Sequence, residues 1–165
     1  MNPDIYHLAA LVGEALAQHS GTVTFAESCT GGGVAHAITA VPGSSAWFGA
    51  GFVTYANSAK HRILGVSAEL LKSKGAVSEA VVVQMAEGAI AASGADFAVA
   101  ISGIAGPGGG TDDKPVGTVW FCWAGPQGTV TKKHQFSGDR SQVREQAIII
   151  SLKQLLHQIT GYYTV

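Results

Sequence analysis

The chain has 165 residues, 47% of them apolar and 13% charged, a balance that builds one well-filled core and excludes intrinsic disorder. Ten basic against eleven acidic residues leave a net charge of -1. No stretch groups more than two or three basic residues, which argues against a nucleic-acid partner, whose phosphates call for a basic footprint.

Asn2-Pro3 reads as an N-cap followed by a first-turn proline. Ile5, Leu8, Val12, Ala15 and Leu16 recur at helical spacing and predict a first helix to about His19. Thr22 to Ala26 alternates among β-formers and predicts a strand. Glu27-Ser28-Cys29-Thr30-Gly31-Gly32-Gly33 follows it, and then a helix over Val34 to Ala40 that Pro42 stops. Gly43 to Phe48 is a loop with two serines and two aromatics, and Ala50 to Ala56 is the next strand. Ser58 and Ser67 cap short helices to Leu64 and Lys74, and Ser78 precedes a longer one carrying Val81, Val82, Met85, Ala89 and Ile90.

Asp96 to Ile101 is an apolar run of the kind buried on both faces of a sheet, and it ends in the loop Ser102-Gly103-Ile104-Ala105-Gly106-Pro107. Val116 to Trp123 and Thr129 to Phe136 flank Gly125-Pro126-Gln127-Gly128 as a hairpin. Asp139 or Ser141 caps a final helix with Val143, Ala147, Ile148, Leu152, Leu155 and Leu156 on its apolar face. Helices alternating with strands predict an α/β fold, a three-layer α/β/α sandwich around a mixed, mostly parallel sheet. No repeat or linker interrupts the chain, so residues 1–165 are expected to form a single domain. No apolar run approaches the roughly 20 residues that span a bilayer, and Met1 to His7 has no signal-peptide pattern. Two isolated cysteines, Cys29 and Cys122, fit a reducing compartment. A cytoplasmic protein without a membrane partner is expected.

Three segments carry candidate chemistry. Glu27 to Gly33 joins a strand to a helix N-terminus, where free N–H groups and the helix dipole suit a phosphate or a developing oxyanion. In the plainer reading, Ser28 or Thr30 caps the helix. Cys29 there is either an activated thiolate or a small packed hydrophobe. From Ser44 to Lys60, a loop serine, Tyr55 and Lys60 either converge, with a buried Lys as base, or leave Lys60 solvated on a surface helix. Ser102 to Gly110 lies at a strand's carboxyl end, where α/β sheets bind ligands. Arg140 offers a fork for two phosphate oxygens, with a surface salt bridge as the alternative. Asp112-Asp113 reads as a solvated turn, and the six histidines show no metal-ligand spacing.

Several blocks in order carry a family resemblance: Ala26-Glu27-Ser28-Cys29-Thr30-Gly31-Gly32, Gly43-Ser44-Ser45-Ala46-Trp47-Phe48, Val53 to Lys60, Gly75 to Ser78, Ser102 to Gly109, Lys114 to Trp120 and Ser137 to Arg140. Together they resemble the CinA C-terminal domain family, whose stand-alone members include nicotinamide-nucleotide amidases. The resemblance implies a hydrolase that needs neither metal nor cofactor and converts nicotinamide mononucleotide (NMN) to nicotinate mononucleotide and ammonia. By residue matching it implies Ser45 as nucleophile, Lys60 as its base and Tyr55 as relay or orienting group. Ser28, Thr30 and Arg140 would hold the substrate, with a hydroxyl from Ser102 and close backbone approach at Gly31, Gly32, Gly103 and Gly106. A homodimer is expected. The alternative reading is a nucleotide-binding paralogue without catalysis, against which the presence of Ser45, Tyr55 and Lys60 argues.

Overall fold

A computed structural model describes residues 1–164; the last residue of the expected domain, Val165, lies outside them. In chain order the elements are α1 (Pro3–Ala17), β1 (Val23–Glu27), α2 (Gly33–Thr39), β2 (Phe52–Val53), α3 (Asn57–Leu64), α4 (Ala68–Lys74), α5 (Glu79–Ser93), β3 (Phe97–Gly103), β4 (Thr118–Gly125), β5 (Gly128–Gln135) and α6 (Arg140–Tyr163). Asn2 caps α1, its side-chain oxygen accepting from Asp4 N at 2.8 Å. Asp139 and Gln142 close a reciprocal capping box on α6.

The strands make one sheet in the order β2-β1-β3-β4-β5. β1 pairs in parallel with β2 and β3, while β4 pairs antiparallel with β3 and with β5. Four strands therefore point one way and β4 alone runs against them, a mixed and mostly parallel sheet as expected. The chain leaves β1 for β2 on one side and returns to β3 on the other. The boundary between β1 and β3 is thus the switch point at which such sheets open a crevice beyond their carboxyl ends. β5 points the same way, so it delivers the start of α6 to that same edge.

The two faces of the sheet are built differently. Val23, Phe25, Phe97, Val99, Ile101, Phe121 and Trp123 face α1, α2 and α6, and all are buried. Ala26, Ala98, Ala100, Cys122 and Ala124 face α5. The period-two alternation of large and small along Phe97-Ala98-Val99-Ala100-Ile101 sorts the residues between the faces. Small residues let α5 lie close to the sheet. α3 in turn lies close to α5, since a Cβ built on Gly88 would come within 1.9 Å of Leu64 O. No helix among the described residues is long and apolar enough to cross a membrane.

Two local expectations are corrected. The strand expected over Ala50 to Ala56 shrinks to Phe52–Val53. Ala50 O accepts from the Thr24 hydroxyl (2.8 Å), and the carbonyls of Thr54 and Tyr55 turn to the Lys60 ammonium group rather than to a ladder. Helix α3 starts at Asn57 without a side-chain cap, so Ser58 is not its N-cap.

Candidate active site

Three loops meet at the carboxyl edge of the parallel strands. Ser28 follows β1 directly, and its N–H donates to Ile101 O (3.0 Å), carrying the β1/β3 pairing one residue further. Tyr55 follows β2. Ser102 and Gly103 end β3, and the glycine-rich loop behind them folds over the edge. Between these loops lies a cleft of about 280 Å³, reached by Ser28, Tyr55, Asn57, Lys60, Ser102 and Arg140 and by the backbone of Gly103 and Gly106.

Lys60 is the unusual member, a lysine only 1% exposed. Its Nζ lies 2.8 Å from Thr54 O, 3.0 Å from Tyr55 O and 2.9 Å from Ser28 Oγ. Carbonyl oxygens only accept. A neutral amine held here spends its two N–H bonds on the two carbonyls, which leaves its lone pair facing the Ser28 hydroxyl. Burial also lowers the Lys60 ammonium from its ordinary 10.5 to about 8, because desolvation disfavours the charged form. Geometry and burial both suit an amine that can act as a base toward Ser28.

The loop bearing Ser28 is held from two sides. Glu27, 1% exposed, accepts from Thr30 Oγ1 (2.7 Å), Val34 N (2.9 Å) and Ala35 N (3.0 Å). The first turn of α2 is therefore filled by the protein's own carboxylate, and its N–H groups are not offered to a phosphate or an oxyanion. From the other side, Arg144 Nε donates to Cys29 O (3.0 Å) and its Nη2 to Thr30 O (3.3 Å). One helical turn earlier, Arg140 spans the mouth of the cleft, donating to Gly106 O (2.9 Å) and to Tyr55 Oη (3.0 Å). Burial pushes the Cys29 thiol up to about 11, so at neutral pH it is a protonated, packed group and not a thiolate nucleophile.

Ser45 sits elsewhere. It is exposed, in a 3₁₀ turn over Ser44–Ala46. Just after it, Trp47 O accepts from Val23 N (2.8 Å) and Phe48 bridges Val23. That anchors the turn at the amino end of β1, a strand length of about 16 Å from Ser28 at about 3.3 Å per residue. The structure thus pairs Lys60 with Ser28 and separates it from Ser45. A larger cleft of about 730 Å³ lies at the far end of α6, beside Gln127, His157 and Tyr162, but its lining holds no nucleophile paired with a base among the described residues.

This arrangement sits in a sequence of known lineage: residues 5–159 match the CinA C-terminal domain. The chain belongs to the CinA C-terminal domain family. Among its relatives is the nicotinamide-nucleotide amidohydrolase PncC of Enterobacter agglomerans, 57% identical over 155 residues, which cover 93% of this chain and 94% of that one. The protein of the same name from Escherichia coli K12 is 55% identical over 156 residues, 94% of each chain. The crystal structure of the competence/damage inducible protein CihA from Agrobacterium tumefaciens superposes with a TM-score of 0.93 at 41% identity, covering 95% of this chain and 96% of that one. The α/β sandwich is the fold of these CinA-superfamily structures.

Of the residues that the CinA resemblance singles out, Ser28, Tyr55, Lys60, Ser102, Gly103, Gly106 and Arg140 converge on the cleft. Thr30, Gly31 and Gly32 do not line it. Thr30 is fully buried with its hydroxyl on Glu27. Gly31 and Gly32 adopt positive φ (58° and 95°) and serve the turn into α2. Sequence reasoning passed over Glu27, Asn57 and Arg144. Arg144 had a usable signal, its position four residues after Arg140 on one helix face. Glu27 had none beyond its place beside Ser28.

Proposed function

We propose that this protein hydrolyses the carboxamide of NMN in pyridine-nucleotide recycling, with Ser28 as nucleophile and Lys60 as its base. The observation that carries the reading is a buried lysine whose Nζ stands 2.9 Å from Ser28 Oγ while donating to the carbonyl oxygens of Thr54 and Tyr55. Relatives at 55–57% identity carry the name of that activity.

In the first half-reaction Ser28 Oγ attacks the amide carbon and its proton passes to Lys60 Nζ. Cys29 and Ser102 line the same cleft, and in this reading the N–H of the first and the hydroxyl of the second receive the developing oxyanion. Lys60 then hands the proton to the amide nitrogen, and ammonia leaves an ester on Ser28. Water repeats the sequence against that ester and releases the acid. Arg140, with Tyr55 beside it, takes the phosphate at the cleft mouth. Binding energy from that remote group holds the amide in line with Ser28. The pairing of Ser28 with Lys60 argues against a non-catalytic paralogue.

The reading carries with it a cytoplasmic location, supported by two free buried cysteines, and a homodimer, supported by the exposed apolar side chains of Val53 and Ile63. Light scattering of the purified protein tests the dimer. The decisive assay is ammonia release from NMN, with free nicotinamide as control substrate, by the wild type and by Ser28→Ala and Ser45→Ala. Ser28→Ala is expected to lose at least about 10³-fold in kcat, and Ser45→Ala to stay within about twofold of wild type. The opposite pattern returns the nucleophile to Ser45 and refutes the mechanism.

A further inference from the structure

Among the side chains lining the cleft, Lys60 is the single proton acceptor of basic strength; the lining contains no histidine and no carboxylate. A dedicated second base would select water for the second half-reaction. Without one, the amine that returns a proton to departing ammonia is also the amine that takes a proton from whatever nucleophile follows. Microscopic reversibility then applies with force. The place from which ammonia departs is, by construction, a place from which an N–H nucleophile can attack the Ser28 ester with Lys60 as its base. The walls beside it are small, supplied by Gly103, Ala105 and Gly106. Its outer side is formed by Tyr55, 59% exposed, so small solutes reach it from solvent.

Resting on the Ser28 acyl-enzyme proposed above, we infer that this protein is also an acyl transferase, passing the nicotinoyl group of the nucleotide from Ser28 to small uncharged amines, hydroxylamine foremost. The steps balance without any redox change. Ser28 Oγ bonds to the carbonyl carbon as the C–N bond breaks, and the serine proton leaves with ammonia through Lys60. The amine nitrogen then bonds to the same carbon and gives a proton to Lys60 Nζ. The C–Oγ bond breaks and Lys60 returns the proton to Ser28. The sum is amide plus hydroxylamine giving hydroxamate plus ammonia. The co-reactant must be uncharged because only a free amine has the lone pair that attacks, and because the Arg140 guanidinium repels ammonium and alkylammonium ions from the cleft.

The test incubates the whole protein with NMN and increasing hydroxylamine at pH 8, and follows nucleotide hydroxamate, nicotinate mononucleotide and ammonia by mass spectrometry. The expected result is a hydroxamate-to-acid ratio that doubles with each doubling of hydroxylamine. The same ratio should arise when the methyl ester of the nicotinate nucleotide replaces the amide, since both pass through one intermediate. Ser28→Ala should lose both products together. Ammonia release that continues with the acid as sole product, however high the hydroxylamine, overturns the transfer and leaves the hydrolase standing. Hydroxamate formed equally by Ser28→Ala overturns the route through Ser28. No consumption of NMN under any condition removes the hydrolase reading itself, and this inference with it.

Discussion

Titrating Lys60 should move catalysis and stability in linked ways. Burial holds this ammonium near 8 against 10.5 for a lysine in water. At pH 7 about a tenth of the protein then carries the free base, against about one part in three thousand for a solvated lysine. kcat/KM should climb about tenfold per pH unit below 8 and level off above it. Stability follows the opposite protonation of the two states. Between pH 8 and 10.5 the unfolded chain holds a proton that the folded chain has released, so the unfolding free energy rises with pH across that window. Below 8 both states are protonated and the cost of burying the ammonium is fully present. At 1.36 kcal/mol per pH unit, the full rise is about 3 kcal/mol.

Lys60→Met isolates the effect, because it fills similar space and cannot titrate. Subtracting its stability curve from that of the wild type removes the contribution of every tyrosine and cysteine. The difference should grow by about 3 kcal/mol from pH 8 to 10.5. The methionine leaves Thr54 O and Tyr55 O without their donor, a loss of about 1–3 kcal/mol each. At pH 7 that offsets the relief from burying a charge, so the variant should be near wild type in stability and without activity. Urea unfolding at pH 7, 8, 9 and 10, run beside the ammonia assay, measures both. Parallel stability curves for the two proteins, or a kcat/KM still climbing at pH 10, would refute the assignment of Lys60 as a buried base.

Arg140→Ala should raise KM for NMN about 10- to 100-fold, the worth of one charge-assisted contact, and leave KM for the dephosphorylated nucleoside unchanged in steady-state assays. Arg144→Ala strips Cys29 O and Thr30 O of their donor; we expect about 1.5 kcal/mol lost in urea unfolding and a larger fall in kcat than in substrate affinity, since Ser28 is displaced. Gly88→Ala forces a methyl group against Leu64 O and should cost at least about 2 kcal/mol, with a matching loss of kcat because α3 carries Lys60; thermal melts and rates on one preparation check both.

Most of the fold was legible because its signals are local. Asn2, Asp139 and the glycine pair around Pro126-Gln127 mark their elements by chemistry that acts within a few residues. The alternation in β3 declares a strand wherever it sits. The Ala50 to Ala56 segment failed because its β-forming side chains say nothing about where its carbonyls go, and Lys60 claims two of them. At the site, the partner of Lys60 was unmarked in the sequence for a related reason. The resemblance put Ser45 forward, 15 residues from Lys60 in sequence, while the serine that meets Lys60 in the structure is Ser28, 32 residues away. Only the parallel pairing of β1 with β2 brings the end of one strand beside the end of the other. That pairing is long-range and leaves no mark in either segment alone. Glu27 was invisible in the same way, since a carboxylate in a motif looks alike whether it meets a ligand or its own helix.

The unequal faces of the sheet divide the molecule's tolerance to change. Behind Phe97, Val99 and Ile101 stands the bulk of the apolar mass, and trimming it there hollows the interior at about 2–5 kcal/mol per large side chain without moving any group of the cleft directly. Behind Ala98 and Ala100 there is no slack. One added methyl group presses on α5, α5 presses on α3, and the lysine rides on α3. Damage on the first side is thermodynamic and should be recovered by cooling or by compensating stabilisers. Damage on the second side is metric as well as thermodynamic: the cost of overpacking comes with a base an ångström out of place, which cooling does not restore. A directed-evolution library in this scaffold should therefore take its stabilising changes from the α1–α6 side and leave the alanines alone.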